Sequence, residues 1–157
     1  MNEFLNVLTA PLSADELMRL LPHRPPFFFL KRLREWTLGV RALADVEFDG
    51  SEEFLRGHFP GNPVVPGVIL VEACAQAAGL ALATRTDSIP TAARPPSLAK
   101  IITMKFRAPV RPRERLEVEA IVTTRFENSG AVEVVLRRGG ASVAEGALAI
   151  HLGAPPA

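Results

Sequence analysis

The clearest rhythm in the chain is alternation. From Val40 to Phe48 the apolar residues fall on every second position (Val40, Ala42, Ala44, Val46, Phe48), the signature of a half-buried strand. The aromatic-rich stretch Phe27 to Trp36 predicts its antiparallel neighbour, with Gly39 supplying the turn. Ahead of them, Ser13-Ala-Asp-Glu16 is a capping box before Leu17, Met18, Leu20 and Leu21, so a short helix is expected to start near Ser13 and to stop at Pro22 and the Pro25-Pro26 pair. Strand signals return at Leu98 to Phe106, Leu116 to Phe126, Ala131 to Arg138 and Ser142 to Leu152. Asn128-Ser-Gly130 and Gly139-Gly140 are the expected hairpin turns, and Thr84 to Pro96 an expected loop.

Between the two groups of strands the pattern changes. Gly57 to Gly67 carries prolines at 60, 63 and 66, which forbid a regular helix or a central strand and predict an irregular loop of nearly fixed shape. A helix is expected from Pro66 or Gly67 to Ala83, apolar on almost every side and therefore wrapped by other structure. Val64 to Ala83 approaches membrane-spanning length, but Glu72 and Gln76 sit in its middle, a costly position in lipid. A buried core helix is the expectation, and no membrane span. Two strands, one long helix and a meander predict an α+β fold, an antiparallel curled β-sheet around one central helix. Residues 1–157 are read as one domain, with 153–157 a frayed tail.

Composition narrows the class. Apolar residues make up 48% and charged residues 22%, the balance of an ordinary globular protein. The single cysteine, Cys74, excludes an internal disulfide and suits a reducing compartment, so a cytoplasmic location is expected. Met1 to Ala10 carries Glu3 without a basic cluster or a long apolar run, and no signal peptide is expected there. Net charge is +1, yet six basic residues against one acid lie between Lys100 and Arg115, leaving the remainder net acidic. Lys105, Arg107, Arg111, Arg113 and Arg115 could dock an acidic partner or merely guard a strand edge. In an extended segment 111, 113 and 115 would share a face, which favours docking. No nucleic-acid-binding motif accompanies the charge.

Three groups carry chemistry. Glu72 is the one ionisable group of the apolar helix, with Gln76 four residues later on the same face. A buried carboxyl needs a partner or stays protonated, and a protonated one is a general acid. The alternative is a structural carboxyl tied down by Gln76 or by backbone. His58 lies in the Gly/Pro loop, which can hold an imidazole in one orientation as a base requires, although a loop histidine can equally be structural. At the helix start Gly67 offers an unpaired N–H and no side chain, suited to a carbonyl that gains negative charge, or else it is simply a turn glycine. Base, acid and oxyanion donor together fit proton abstraction beside a carbonyl followed by loss of a β-hydroxyl. His23, His58 and His151 lack metal-ligand spacing, and no G-x-S-x-G elbow or phosphate-binding loop occurs, so no metal is expected.

Leu21-Pro-His-Arg-Pro-Pro-Phe27, Gly57-His-Phe-Pro-Gly-Asn-Pro-Val-Val-Pro-Gly67, Glu72-Ala-Cys-Ala-Gln76 and Lys105-Phe-Arg-Ala-Pro-Val110 resemble, in order and spacing, FabZ/FabA-type 3-hydroxyacyl-[acyl-carrier-protein] dehydratases. The resemblance spans about Leu17 to Ile150 and is most specific in His-Phe-Pro-Gly with its downstream glutamate. It implies a hot-dog fold, no cofactor, and substrate delivered on the phosphopantetheine of acyl carrier protein, an acidic partner. It also implies a homodimer, or a trimer of dimers, whose sites take His58 from one subunit and Glu72 from the other. There His58 removes the C2 proton, Glu72 protonates the departing hydroxyl and the Gly67 amide binds the thioester oxygen, with Phe59 and Gln76 in support. Some positions depart from the family pattern. Lys31 stands where Asp is usual, Pro25 where Tyr is usual, and Arg113-Glu114 replaces Gly-Asp; the chain has no tyrosine at all. The acyl chain therefore stays open, with fatty acid, polyketide, aryl polyene and other lipid pathways all compatible. A hot-dog thioesterase and a non-catalytic acyl-binding protein are the rivals.

Overall fold

The computed structural model describes residues 9–84 and 94–153. In chain order the elements are β1 (Leu12–Ser13), α1 (Ala14–Leu20), β2 (Leu30–Thr37), β3 (Arg41–Val46), α2 (Phe54–Gly57), α3 (Gly67–Leu82), β4 (Pro96–Phe106), β5 (Leu116–Arg125), β6 (Ser129–Arg138) and β7 (Ala141–Leu152). The strands form one antiparallel sheet in the order β1-β2-β3-β5-β6-β7-β4, and α3 packs across β3, β5, β6 and β7. This is the expected α+β architecture, a sheet curled round one long helix.

Alternation decides which face meets the helix. Ala42, Ala44 and Val46 of β3, Val118 and Ala120 of β5, Val132, Val134 and Leu136 of β6, and Leu148 and Ile150 of β7 are buried in one core with Leu70, Cys74, Leu80 and Leu82 of α3. The other face is ion-paired across strands, as in Arg34 with Asp45 and Glu117, and Glu119 with Arg41 and Arg137. At the C-terminal end of α3, the Arg125 guanidinium donates to the Leu82 carbonyl and the Trp36 indole to that of Leu80. A cation there meets the negative end of the helix dipole. Burial pushes the Cys74 thiol up to about 12, so this cysteine is a neutral packing group.

The capping box at Ser13 forms as expected, with Glu16 reaching back to the Ser13 amide at 2.8 Å. Gly139 and Gly140 both take positive φ (57° and 84°), the geometry of a two-residue hairpin turn. Some expectations shift. Phe27 to Phe29 precede β2 rather than belonging to it. The β5–β6 connection falls at Phe126 to Asn128, while Ser129 and Gly130 are already in β6, with Gly130 opposite Arg125. The two-residue β1 and the single-turn α2 are too short to leave a periodic signal. Parts of the expected Thr84–Pro96 loop, the amino-terminal residues 1–8 and the tail after Gly153 lie outside the described residues.

Two surfaces are left uncovered by a single chain. Along α3, Val68 is 75% exposed, and Glu72 and Ala75 are partly exposed on the side away from the core, so the sheet of one chain does not wrap the helix completely. β4 is a sheet edge whose Leu98, Ile101, Ile102 and Phe106 are all exposed. No helix among the described residues is long and apolar enough to cross a membrane.

Candidate active site

The loop that carries His58 is built by its own backbone. α2 ends at His58, whose amide donates to the Leu55 carbonyl and whose carbonyl accepts from Val64 at 2.8 Å. Phe59 and Asn62 exchange both of their backbone hydrogen bonds, and the Val65 amide donates to Val110 O, fixing the loop to the segment after β4. The prolines reinforce this shape because they lack N–H groups and need no further acceptors. The imidazole stacks on the Phe59 ring at 4.3 Å, and its Nδ1 lies 2.7 Å from the Val64 carbonyl. A carbonyl can only accept, so Nδ1 carries the proton of a neutral ring, in which Nε2 holds the lone pair. The ring is thus locked, by neighbours six residues away or fewer, in the tautomer a base requires.

His58 lines a cleft of about 400 Å³ with Val64, Val65, Gly67, Leu70 and the segment Phe106 to Val110. Gly67 is the first residue of α3, after Pro66 at the N-cap, so its amide has no acceptor within the helix. Its φ is not positive, and the turn does not require glycine. What favours glycine is Phe106, whose ring atoms would stand 3.1 Å from a Cβ at this position and would have to shift to admit one. The amide can therefore face the cleft while an aromatic ring closes over the helix end.

Glu72 lies elsewhere. Five residues beyond Gly67, it is turned about 140° round the helix axis, towards the side of Val68. It lines a separate pocket of about 70 Å³ with His23, Ala75, Gln76, Pro96, Ser97, Leu98 and Ile150. Gln76, only 2% exposed, organises this end. Its Nε2 donates to Glu72 Oε1 (3.1 Å) and to the Phe27 carbonyl (3.2 Å), while its Oε1 accepts from the Phe29 amide (3.1 Å). His23 Nε2 stands 3.3 Å from the same Glu72 oxygen. The single chain therefore gathers His58, Phe59 and Gly67 on one side of α3 and Glu72 with Gln76 on another. His23 was not singled out by sequence. It is remote from position 72 in the chain, belongs to no periodic element, and its only signal is its place in the Leu-Pro-His-Arg segment.

The basic strip does not form the single face that alternation suggested. Residues 107–115 run irregularly, with a turn at Pro112-Arg113, because Arg113 takes a left-handed φ of 67° and breaks the extension. Arg107 lines the His58 cleft and pairs with Glu145, whereas Arg111 donates to Asn62 Oδ1 at 2.7 Å, on the loop that carries His58. Arg113 reaches the Asp49 carbonyl, Arg115 lines a different hollow with Arg34 and Arg137, and Lys105 lies beside Glu145. Among the described residues no cluster of His, Cys, Asp and Glu could hold a metal ion.

Comparison with known proteins identifies the family and the fold. The chain is 38% identical to the 3-hydroxyacyl-[acyl-carrier-protein] dehydratase FabZ of Oenococcus oeni over 79% of its length and 87% of that protein's. It is 35% identical to the FabZ of Pediococcus pentosaceus over 91% and 94%. In fold it superposes on a chain of the dehydratase heterocomplex ApeI:P from Xenorhabdus doucetiae with a TM-score of 0.73, at 17% identity and covering 94% and 93% of the two chains. A Helicobacter felis homologue of HP0420 gives a TM-score of 0.64 at 20% identity, covering 97% and 96%. The sheet curled round α3 is thus the hot-dog fold. The FabA-like domain model matches residues 21–147, which hold the His58 loop, the Gly67 amide and Glu72, and the chain belongs to the FabA-like family.

Proposed function

We infer that this chain is a 3-hydroxyacyl-[acyl-carrier-protein] dehydratase, a hydro-lyase of fatty acid biosynthesis that forms the trans-2-enoyl thioester. The observation that carries the mechanism is the 2.7 Å contact of His58 Nδ1 with the Val64 carbonyl, which leaves Nε2 to act as base in the cleft that Gly67 also lines. In this reading the thioester oxygen sits on the Gly67 amide, which stabilises the charge that develops when His58 Nε2 takes the C2 proton. Glu72 gives its proton to the 3-hydroxyl, and the C3–O bond breaks to release water. Family membership and the FabZ relatives support the same reaction.

The separation of His58 from Glu72 within one chain supports a site completed by a second copy. The exposed β4 edge and the uncovered side of α3 give that copy an apolar surface to bury. In the dimer, Glu72 of one subunit faces His58 of the other. Acyl carrier protein delivers the substrate, and Arg107 at the His58 cleft and Arg111 against the His58 loop are suited to attract its acidic surface. We place the reaction in the cytoplasm, where a lone unpaired cysteine is at home.

Dehydration is read as enoyl formation from a 3-hydroxyacyl thioester, with thiol release from a saturated acyl thioester measured alongside. His58→Ala and Glu72→Gln should each remain folded and lose at least ~10²-fold in turnover. Wild-type protein that releases thiol and forms no enoyl product would instead be a thioesterase, and a folded His58→Ala of normal turnover would remove the base from the mechanism.

A further inference from the structure

His23 has no part in the reaction as drawn above, yet among the described residues it is an ionisable side chain in direct contact with Glu72. Its Nε2 lies 3.3 Å from Glu72 Oε1, the oxygen that already accepts from Gln76 at 3.1 Å. Its Nδ1 is buried and has no hydrogen-bond partner among the described residues. A proton on that nitrogen would bury an N–H without an acceptor, so the proton of a neutral ring belongs on Nε2, facing Glu72. We propose that His23 is a positioning residue for the catalytic acid: with Gln76 it occupies Oε1 of Glu72, so that the carboxyl proton is confined to Oε2.

The proposal rests on the dehydratase reading and assigns the atoms of its acid step. Oε2–H protonates the 3-hydroxyl as the C3–O bond breaks, and Glu72 is left a carboxylate whose Oε1 faces two donors. The C2 proton resides on His58 Nε2, and its return to Glu72 through solvent closes the cycle. His23 itself neither gains nor loses a proton. At 3.3 Å the contact is longer than a mature hydrogen bond, and such bonds often tighten only when substrate is bound. The donor would then strengthen as negative charge grows on Glu72, which lowers the barrier more than it aids binding.

The test compares His23→Leu, which removes the donor, with His23→Gln, whose amide can place an N–H near the same point. Both are assayed with a small 3-hydroxyacyl thioester beside wild type and Glu72→Gln. His23→Leu should lose roughly 10-fold or more in kcat, as expected for a hydrogen bond to a charged group, with KM changed by less than about 3-fold. His23→Gln should recover most of that loss. The infrared carboxyl C=O band that Glu72→Gln abolishes should move to higher frequency in His23→Leu and return in His23→Gln. Unchanged kcat in a folded His23→Leu, or equal losses in the Leu and Gln variants, would overturn the proposal. A wild-type protein that forms no enoyl product would overturn the dehydratase reading itself, a separate outcome.

Discussion

Replacing Gln76 by leucine tests whether one buried amide joins the fold to the site. The side chain is 2% exposed and makes three hydrogen bonds that a leucine of similar size cannot make. The Phe29 amide is the costly loss, because it is buried and would be left without an acceptor, at about 1–3 kcal/mol. The Phe27 carbonyl and the Glu72 carboxyl are only part-buried and can turn towards water, so each loses about 0.5–1.5 kcal/mol. The extra apolar surface of leucine returns about 1 kcal/mol. The net expectation is a destabilisation of about 1–5 kcal/mol, whose midpoint of about 3 kcal/mol is equivalent to roughly 6–12 °C in Tm for a chain of this size. Urea titration of Gln76→Leu against wild type at equal protein concentration measures it, the concentration being fixed because association would add its own stability. Turnover should fall as well, since Glu72 loses a donor and the Phe27–Phe29 segment loses its anchor. A variant within about 0.5 kcal/mol of wild type would refute the reasoning, for it would mean that Phe29 finds another acceptor and that the amide is not what holds this segment.

Sedimentation should find a dimer or a multiple of one, and charged residues at Ile101 and Ile102 on the β4 edge should yield monomers without turnover; an active monomer would contradict the shared site. Arg111→Glu should raise KM for carrier-bound substrate in a salt-dependent way. The same change should leave a small thioester nearly unaffected, and equal loss on both would make Arg111 a support of the Asn62 loop. Arg113→Gly should stabilise by up to about 1 kcal/mol, because glycine accepts the φ of 67° without the Cβ penalty; a loss of stability would assign more weight to its contact with Asp49. Arg107 and Ser142 hold the Glu145 carboxyl at about 2, and Arg41 holds that of Glu119 below its ordinary value. Both groups favour the folded state above an unfolded pKa of about 4.3 and lose that contribution as pH falls through the folded value. Stability should thus decline from about pH 4 towards pH 2, and Arg41→Gln should flatten the decline, which thermal melts in a pH series would follow.

What the sequence determined was local or periodic. Alternation from Ala42 to Phe48 and in β5, β6 and β7 names the core face, since a one-residue slip would turn every apolar side chain to solvent. Val40 at its start and Leu98, Ile101, Ile102 and Phe106 of β4 stay exposed. The Ser13 capping box, the Gly139-Gly140 turn and the proline-fixed His58 loop are each closed by groups within a few residues, so composition alone identifies them. His58, Gly67 and Glu72 were legible for the same reason: a rigid loop, a helix start and a lone carboxyl in an apolar helix are all features of one short stretch. The pairing of His23 with Glu72 was not, because nothing in a linear pattern brings position 23 beside position 72. Nor could the sequence reveal that Phe106 closes over Gly67, or that Arg113 turns the chain and scatters the basic strip; its alternation presumed an extended backbone. Only the tertiary structure decided that α3 keeps an uncovered side carrying Glu72 away from His58. Apolar periodicity reports that a face will be buried, and the sheet's closure, strand by strand, determines how much of it one chain can cover.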